Sequence, residues 1–248
     1  MRHGLSKWLW IPLLSLSATF SVKADTLILT SSLDWPPYTG EGLAEKGASI
    51  AVVKAAVEAM GHELVVEFYP WSRAAHVAKG DAKYSGYFPE YFFEDNSLLF
   101  SDSIGKGPLG FAENVANPIQ WSVLEDLKPH TIGVVRDYTN TPELDSMIAQ
   151  GLLLSSAVNS EVQNLQKVAK GRVPLAVIDS NVFNYLKNND PRLAADKDQL
   201  QMNKQLLVVK DLHIAFRNDA QGQKWQAIVN EGLKKIDIEQ IMNSYLSK

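Results

Sequence analysis

The sequence predicts an α/β protein in which strands and helices alternate along most of the chain. Three observations carry this prediction. The N-terminal part reads strand–helix–strand–helix–strand, the pattern restarts after Pro108, and a final pair of strands and a helix close the chain. Two parallel strands need a long crossover connection, usually a helix, so this alternation is typical of open, mostly parallel sheets. The composition, 46% hydrophobic, is sufficient for a substantial core.

The first cycle begins with an apolar strand at Leu27–Ser31. The paired prolines Pro36 and Pro37 exclude a helix or a central strand in the next segment. An apolar stripe predicts a helix over Ala48–Met60, which Gly61 ends. The remaining predicted elements of this cycle are the strand Leu64–Phe68, the helix Pro70–Lys79 and the strand Tyr84–Phe88.

The second cycle begins near Pro108–Ala112 and contains helices with clear capping signals. Asn140 or Thr141 is an N-cap candidate before Pro142, and Ser160 is another. The predicted strands are Thr131–Val135, Leu152–Leu154, Pro174–Ile178, Gln205–Val209 and His213–Phe216. The predicted helices begin at Pro142, Ser160 and Asp179, and a closing helix carries Trp225 to Ile236.

The N-terminus has the three-part pattern of a secretory signal peptide. Arg2 and Lys7 precede a largely apolar run that continues to Phe20, and Val22-Lys23-Ala24 resembles a cleavage site. We therefore expect residues 1–24 to be removed and the protein to be periplasmic. The alternative is an uncleaved N-terminal anchor, although the apolar run is short for a membrane span.

Composition and missing motifs exclude several functions. The chain has no cysteine, so disulfides, thiolate catalysis and cysteine-ligated metals are excluded. Its formal net charge of −4 makes nucleic acid an unsuitable partner. Nucleophile-elbow, Walker and dinucleotide-binding motifs are absent, and the five histidines show no metal-ligand spacing. We expect no cofactor and no metal site.

Aromatic residues follow the predicted strands at positions where ligands bind in open α/β sheets, beyond the carboxyl ends of the strands. Trp35 and Tyr38 follow the first strand, Trp71 follows the second, and Tyr87 ends the third. Aromatic walls with a few polar groups are typical of small-molecule sites. The alternative for each ring is packing in the core or at its rim.

Several short segments together resemble the family 3 extracellular solute-binding proteins, the amino-acid-binding type that serves ABC importers, and among them a proteobacterial branch with Pro-Trp-x-Arg-Ala. The order and spacing of the segments carry the resemblance over essentially the whole mature chain. They are Trp35 to Tyr38, Gly47, Pro70 to Ala74, Gly80-Asp81, Phe100-Ser101-Asp102, Ile132 to Val134, and Gly171 to Val173 with Asp179. The resemblance implies a type II periplasmic-binding-protein fold, with two lobes, two crossovers and hinged closure on a ligand. It places lobe 1 at residues 25–108 plus 210–248 and lobe 2 at residues 109–209.

The resemblance also implies site residues. Glu94 stands where α-amino-acid binders have an arginine that holds the ligand carboxylate, so a carboxylate is disfavoured there. Asp179 matches the aspartate that pairs with the ligand ammonium, and Thr139 belongs to a turn that offers hydrogen-bond donors. Arg73 is a candidate replacement for the missing arginine. The alternatives are a surface ion pair for Arg73 and a plain N-cap for Asp179.

These observations predict a binding protein, not an enzyme, for a small cationic or zwitterionic solute. Asp179 and Glu94 would meet the positive group, Trp35 and Trp71 would enclose the apolar part, and Thr139 and Arg73 would meet acceptors. The expected partner is an inner-membrane ABC permease, and we expect a monomer. One alternative is a ligand-sensing module for a membrane receptor. A second is a dehydratase-like enzyme that uses a carboxyl with a raised pKa in a closed cleft, for which Glu94 is the candidate.

Overall fold

A computed structural model describes residues 24–246, so the predicted signal peptide lies almost entirely outside the described residues. No helix of the described part is long and apolar enough to cross a membrane. The strands are β1 Thr26–Ser32, β2 Asp34–Trp35, β3 Thr39–Gly40, β4 Glu63–Tyr69, β5 Gly86–Tyr91, β6 Leu98–Phe100, β7 Gly105–Asn114, β8 Thr131–Val135, β9 Leu154–Val158, β10 Leu175–Asp179 and β11 Leu200–Arg217. The α-helices are α1 Ala48–Glu58, α2 Trp71–Gly80, α3 Pro142–Ala149, α4 Glu161–Ala169, α5 Ser180–Asn189, α6 Ala220–Leu233 and α7 Ile238–Leu246.

One curled sheet runs through the molecule in the order β4-β1-β5-β11-β7-β10-β8-β9, and β6 also pairs with β11. At one end β1 is parallel to both β4 and β5, and at the other end β8 is parallel to β9 and β10. These two parallel groups, with the helices packed on them, are the two lobes. The predicted mixed α/β, two-lobed fold class is therefore confirmed.

Two long antiparallel strands, β7 and β11, connect the lobes. The first part of β11 pairs with β7, and its last residues, from Leu212 onward, pair with β5 and β6. The sequence predicted two strands here, Gln205–Val209 and His213–Phe216, because Lys210 and Asp211 interrupt the apolar pattern. The structure has one strand, because much of β11 is half-buried or exposed and therefore tolerates polar side chains.

The core of each lobe lies between the sheet and its helices. In the first lobe Leu27 and Leu29 of β1 pack in one cluster with Val53 of α1 and with Trp225 and Val229 of α6. The second lobe has its own buried cluster, which includes Phe111, Leu127, Ile132, Leu144 and Leu175. Apolar faces of this kind supply most of the stability of an α/β domain.

Three predicted boundaries were wrong for identifiable reasons. The strand expected at Leu152–Leu154 is β9, and it begins only at Leu154 because Gly151 turns the chain with φ +71°. Since β9 is the edge strand of the sheet, it is partly exposed and contains polar serines, so an apolar pattern did not indicate its extent. The strand expected to stop at Phe88 continues to Tyr91, because Pro89 lies where the pairing with β11 is irregular. The predicted closing helix is α6, which ends at Leu233 and not at Ile236, and the helix α7 that follows it was not predicted.

Candidate functional site

The main cavity lies between the two lobes, at the carboxyl ends of the parallel strands, and has a volume of about 380 Å³. The first lobe contributes Ser32, Leu33, Asp34, Pro36, Pro70, Trp71 and Ser72. The second lobe contributes Val135, Arg136, Asp137, Tyr138, Asn159, Ser160, Glu161, Val162, Val182 and Leu186. Ligands of open α/β sheets bind at this edge, because the loops that follow the strands converge there.

A second, inner cavity of about 30 Å³ adjoins the main one. Ser32, Trp71 and Tyr138 line both spaces, so these three side chains form the boundary between them. The inner cavity is further lined by Trp35, Pro89, Glu90, Tyr91, Thr139 and Leu212. The two cavities are therefore neighbours in the cleft, with the Trp71 and Tyr138 rings between them.

The aromatic rings at the cleft support one another. The ring of Trp35 stacks on that of Tyr38 with centroids 4.7 Å apart and meets the edge of Tyr91 at 6.1 Å. Trp71 meets Tyr87 edge-on at 5.6 Å. Offset stacking and edge-to-face contacts fix ring orientation, so the wall of the cleft is preorganised.

Glu161 is the most deeply buried acid of the main cavity. It is the first residue of α4, directly after the N-cap Ser160, and only 6% of its surface is exposed. Burial raises the pKa of Glu161 to about 8, and the negative charge of Asp179 contributes to the rise. The nearby Trp35 indole lowers this pKa in part, but the two groups do not meet hydrogen-bond geometry, and Glu161 Oε2 has no partner. An acid in this environment favours a positively charged neighbour.

Glu90 lines the inner cavity and interacts electrostatically with Lys210. Burial raises the pKa of Glu90 to about 7, although the Tyr91 backbone N–H donates to Glu90 Oε1 at 2.8 Å. Burial lowers the pKa of Lys210 to about 8, while the charge of Glu90 opposes the change. The Lys210 ammonium lies 4.2 Å from the centroid of the Tyr91 ring and donates to the carbonyl oxygen of Asn140. Lys210 is thus a resident cation beside the Tyr91 ring, and burial disfavours its positive charge.

Asp179 lies behind the cavities and lines neither of them. Its Oδ1 accepts from the backbone N–H groups of Asn181 and Val182 at 2.8 and 3.2 Å, so Asp179 is the N-cap of α5. The Tyr38 hydroxyl lies 3.2 Å from both carboxylate oxygens, and burial raises the pKa of Asp179 to about 7. A Cβ on Gly107 would come within 2.6 Å of Asp179 Oδ2, so only glycine fits beside this carboxylate.

The lobes are in contact across the cleft. Tyr38 of the first lobe meets Asp179 of the second, and the Asn181 amide donates to the same Tyr38 hydroxyl at 2.8 Å. At the rim, Ser72 Oγ donates to Asp137 Oδ2 at 2.6 Å. These contacts describe a closed arrangement of the two lobes.

The structure places six of the eight sequence-predicted residues in three different environments. Trp35, Trp71 and Thr139 line the cavities, while Tyr38 and Asp179 lie buried behind them. Tyr87 packs in a small core cluster beneath α2. Their contact with a ligand stays a prediction.

Arg73 and Glu94 lie away from both cavities. Arg73 is exposed, and its guanidinium carbon is 5.2 Å from the centroid of the Tyr69 ring, so it is not placed to replace the missing arginine. Glu94 is exposed in the loop between β5 and β6. Since β5 runs three residues further than expected, Glu90 lines the inner cavity instead.

Sequence reasoning missed Glu161, Glu90, Tyr138 and Lys210. In the sequence, Glu161 is an ordinary acid in the first turn of a helix, where it complements the helix dipole. The sequence therefore did not indicate that it lies at the cleft. A correct placement of β9 would have put Glu161 at the carboxyl end of a strand, where it could have been recognised. No group of three or more His, Cys, Asp or Glu side chains that could hold a metal ion occurs among residues 24–246.

No family model matches the sequence, and no curated protein matches it. Solved structures do match. A histidine kinase sensor domain with similarity to periplasmic binding proteins has a TM-score of 0.75 at 18% identity, over 89% of this chain and 96% of that chain. The fold is that of the type II periplasmic binding proteins.

Two further structures share this periplasmic-binding-protein fold. A mutant of ArgBP from T. maritima has a TM-score of 0.72 at 16% identity, over 90% of this chain and 96% of that chain. An amino acid ABC transporter substrate-binding protein from Streptococcus pneumoniae, bound to L-arginine, has a TM-score of 0.69 at 15% identity, over 90% of this chain and 92% of that chain. The type II fold thus covers both lobes and both connecting strands.

Proposed function

We propose that this protein is a periplasmic solute-binding protein that captures a small, positively charged or zwitterionic solute in the main cavity. Lobe 1, residues 25–108 plus 210–248, and lobe 2, residues 109–209, would close on the solute about a hinge in β7 and β11. The protein would then deliver the solute to an ABC permease. It would act as a monomer, without a cofactor.

The observation that carries this proposal is the main cavity, which both lobes line and which contains the buried Glu161. Its volume of about 380 Å³ falls in the range of small-molecule sites. A site built from two lobes gains a ligand contact from each, so binding favours the closed state. That linkage between occupancy and closure is what a binding protein needs.

The charges around the cleft support a cation. Glu161 and Glu90 are buried acids, and Asp34 adds an exposed carboxylate at the rim. A positive group would ionise these acids and pair with them, whereas an anion would keep them protonated and would be repelled by any that ionise. Arg136, also at the rim, could meet the carboxylate of a zwitterion. The arginine bound to the Streptococcus pneumoniae protein and the name of ArgBP agree with this ligand class.

A thermal-shift screen tests the proposal. Candidate solutes are L-arginine, L-lysine, L-lysinamide, putrescine and agmatine, with L-glutamate and citrate as anionic controls. A true ligand stabilises the folded protein by ~2.7 kcal/mol at a hundredfold excess over its Kd. We expect at least one cation to raise the unfolding temperature, and Glu161→Gln to remove most of the shift.

The matched control is Glu143→Gln, because Glu143 is also a first-turn acid, on α3, but is exposed and lines neither cavity. This variant should respond as the wild type does. A shift produced by citrate or L-glutamate alone would contradict the ligand class. A shift that is equal in Glu161→Gln would remove the main cavity from the proposal.

The sensor domain among the matched structures favours a second role, in which the closed protein reports its ligand to a membrane receptor. Both roles use the same closure. Pull-down of ligand-bound protein on membranes separates them, because an importer would retain an ABC permease and a sensor would retain a receptor.

The raised pKa of Glu161 is the specific observation that favours the dehydratase-like alternative, since a general acid must hold its proton near neutral pH. Mass spectrometry of the ligand after long incubation distinguishes the two functions. We expect the ligand to be recovered unchanged.

A further inference from the structure

The hydroxyl group of Tyr38 joins the two lobes inside the protein. Its oxygen lies 3.2 Å from both carboxylate oxygens of Asp179 and 3.1 Å from the carbonyl oxygen of Lys106. The side-chain amide of Asn181 donates to it at 2.8 Å. Tyr38 and Lys106 belong to the first lobe and Asp179 and Asn181 to the second, so these groups, with Tyr91 beside them, form an interlobe cluster that is complete only when the lobes are closed.

The cluster has more acceptors around Tyr38 than the hydroxyl can serve. A neutral tyrosine carries one hydroxyl hydrogen, whereas three acceptor oxygens lie within 3.2 Å of the Tyr38 oxygen, two of Asp179 and one of Lys106. If Asp179 is ionised, this hydrogen can serve the carboxylate or the carbonyl, and the remaining contact brings two acceptors together. If Asp179 holds a proton, the acid can donate to Tyr38 while Tyr38 donates to Lys106. The geometry therefore favours one additional hydrogen in the closed cluster.

The surroundings of Asp179 show which oxygen can hold that hydrogen. Oδ1 already accepts from the backbone N–H groups of Asn181 and Val182. Oδ2 faces the hydroxyls of Tyr38 and Tyr91, the second at 3.4 Å, so it is the oxygen left for a proton. Asp179 is 1% exposed, and a Cβ on Gly107 would come within 2.6 Å of Oδ2, so the closed cluster has no room for water at this side.

Charges near Asp179 do not oppose the neutral form. Burial raises the pKa of Asp179 to about 7, and burial also raises the pKa of Tyr38 and of Tyr91, so both tyrosines keep their hydrogens. Among the described residues no cation contributes to the pKa of Asp179. The titratable and charged groups on the elements packed around it are Tyr38, Tyr91, Glu161 on α4, which interacts with it electrostatically, Lys106 on β7, whose side chain is exposed, and Lys210 on β11, which contacts the Tyr91 ring.

We propose that the interlobe cluster is a proton-linked latch, in which Asp179 takes up a proton from solvent as the lobes close and the neutral acid stabilises the closed state through Tyr38. In the open state water reaches the carboxylate, which ionises in its ordinary range. The closed state therefore binds one more proton than the open state. This latch goes beyond the proposed function, because it sets the balance between open and closed lobes without a ligand.

The sign of the pH dependence follows from this proton. Since closing binds a proton, the equilibrium constant for closing should fall as the pH rises from the ordinary pKa of Asp179, 3.8, to the closed-state value of about 7. One proton gives a fall of at most ~10-fold per pH unit. Above and below this range the constant should level off.

The distance between the lobes of the ligand-free mature protein tests the latch. The chain has no cysteine, so Arg73→Cys on α2 and Glu143→Cys on α3, both at exposed positions, place one spin label on each lobe. Refolding from urea removes any copurified solute, and pulsed electron paramagnetic resonance at pH 5 and pH 7 gives the closed fraction. Every sample carries Glu161→Gln, because Glu161 is a second buried acid that titrates in the cleft. In this parent protein the closing constant should fall at least ~10-fold between the two pH values.

Two further substitutions assign the proton and its partner. Asp179→Asn has the shape and the donor of the neutral acid, so it should close at pH 7 as the parent does at pH 5, with a pH effect within about threefold. Tyr38→Phe keeps the ring that stacks on Trp35 but removes the hydroxyl, so it should lower the closing constant at pH 5 by at least ~10-fold. The control is Tyr69→Phe, because the Tyr69 hydroxyl contacts only Glu67 and Tyr84 of its own lobe, and its closed fraction should match the parent at both pH values.

Three results overturn the latch. They are a parent closing constant that falls less than ~10-fold from pH 5 to pH 7, a fall of more than threefold that persists in Asp179→Asn, which would assign the proton to another acid such as Glu90, and a Tyr38→Phe protein that closes as the parent does. None of these measurements uses a solute. A failed latch therefore leaves the proposed function standing, and a failed solute screen leaves the latch standing.

Discussion

At the scale of single residues, the surroundings of each carboxyl group decide its role more than whether it belongs to Asp or Glu. Glu94 is exposed and free of the cleft, Asp179 is buried but already accepts from the α5 backbone, and Glu161 is buried with an unpaired oxygen. Only the last is placed and available to bind a cation. The sequence assigned the acidic groups of the predicted site to Glu94 and Asp179, neither of which lines a cavity, because spacing from a motif cannot tell which side chain faces a cavity.

The buried acids predict how stability depends on pH. The pKa of Glu161 is about 8 in the folded empty protein against an ordinary 4.5, and that of Glu90 is about 7. Since the folded state holds these protons more tightly than the unfolded chain, their contribution to stability is complete below the ordinary pKa. It is lost as the pH rises toward the folded pKa.

We therefore expect the free energy of unfolding to fall between about pH 4.5 and pH 8. Urea unfolding at several pH values measures this fall, at ~1.4 kcal/mol for each unit of pKa difference. Glu161→Gln, which cannot ionise, should fall less steeply than the wild type. Equal slopes for the two proteins would show that Glu161 titrates normally.

Binding of a cationic ligand should change the protonation of the same acid. A cation favours the ionised acid, so its capture near pH 7 should release protons from Glu161. Calorimetric enthalpies measured in buffers of different ionisation enthalpy report this release. We expect a smaller release in Glu161→Gln, and no release in the wild type would contradict an acid that is protonated in the empty site.

At the scale of elements, the N-caps of helices and the glycines that end helices were predictable from the sequence, whereas the boundaries of strands were not. The sequence correctly indicated Ser160 as an N-cap and gave an N-cap as the alternative role of Asp179, which the structure shows. It left Thr141 or Asn140 open for α3, where the structure shows Thr141. These signals are local, so they survive without tertiary information. The bounds of β5 and β9 depend on their neighbours in the sheet, and these misplacements hid Glu90 and Glu161.

The capping role of Asp179 gives a test at this scale. Asp179→Ala removes the acceptor for the Asn181 and Val182 amides and should lower the free energy of unfolding by about 1–2 kcal/mol. Asp179→Asn retains an acceptor and should cost less. In binding measurements with L-lysinamide, Asp179→Asn should also cost less affinity than Glu161→Gln. The reverse order would restore Asp179 as the main partner of the cation.

At the scale of the whole molecule, the fold explains how a chain of this size can couple occupancy to shape. The sheet is continuous, but only β7 and β11 join its two parallel ends, so the lobes share a narrow connection. Contacts across the cleft include polar ones, such as Tyr38 with Asp179 and Ser72 with Asp137. Closure would therefore depend on what the cavity contains. The restart of the strand–helix pattern, together with the family resemblance, predicted the two-lobed α/β fold class.

The central claim is that a positively charged solute binds between the lobes against Glu161. The most direct measurement is a crystal structure of the mature protein with the tightest-binding cation from the screen. We predict a ligand in the main cavity that touches both lobes, with its charged nitrogen within hydrogen-bond distance of the Glu161 carboxylate. A ligand bound outside the cavity, or one whose charged nitrogen faces solvent while Glu161 remains unpaired, would contradict the claim.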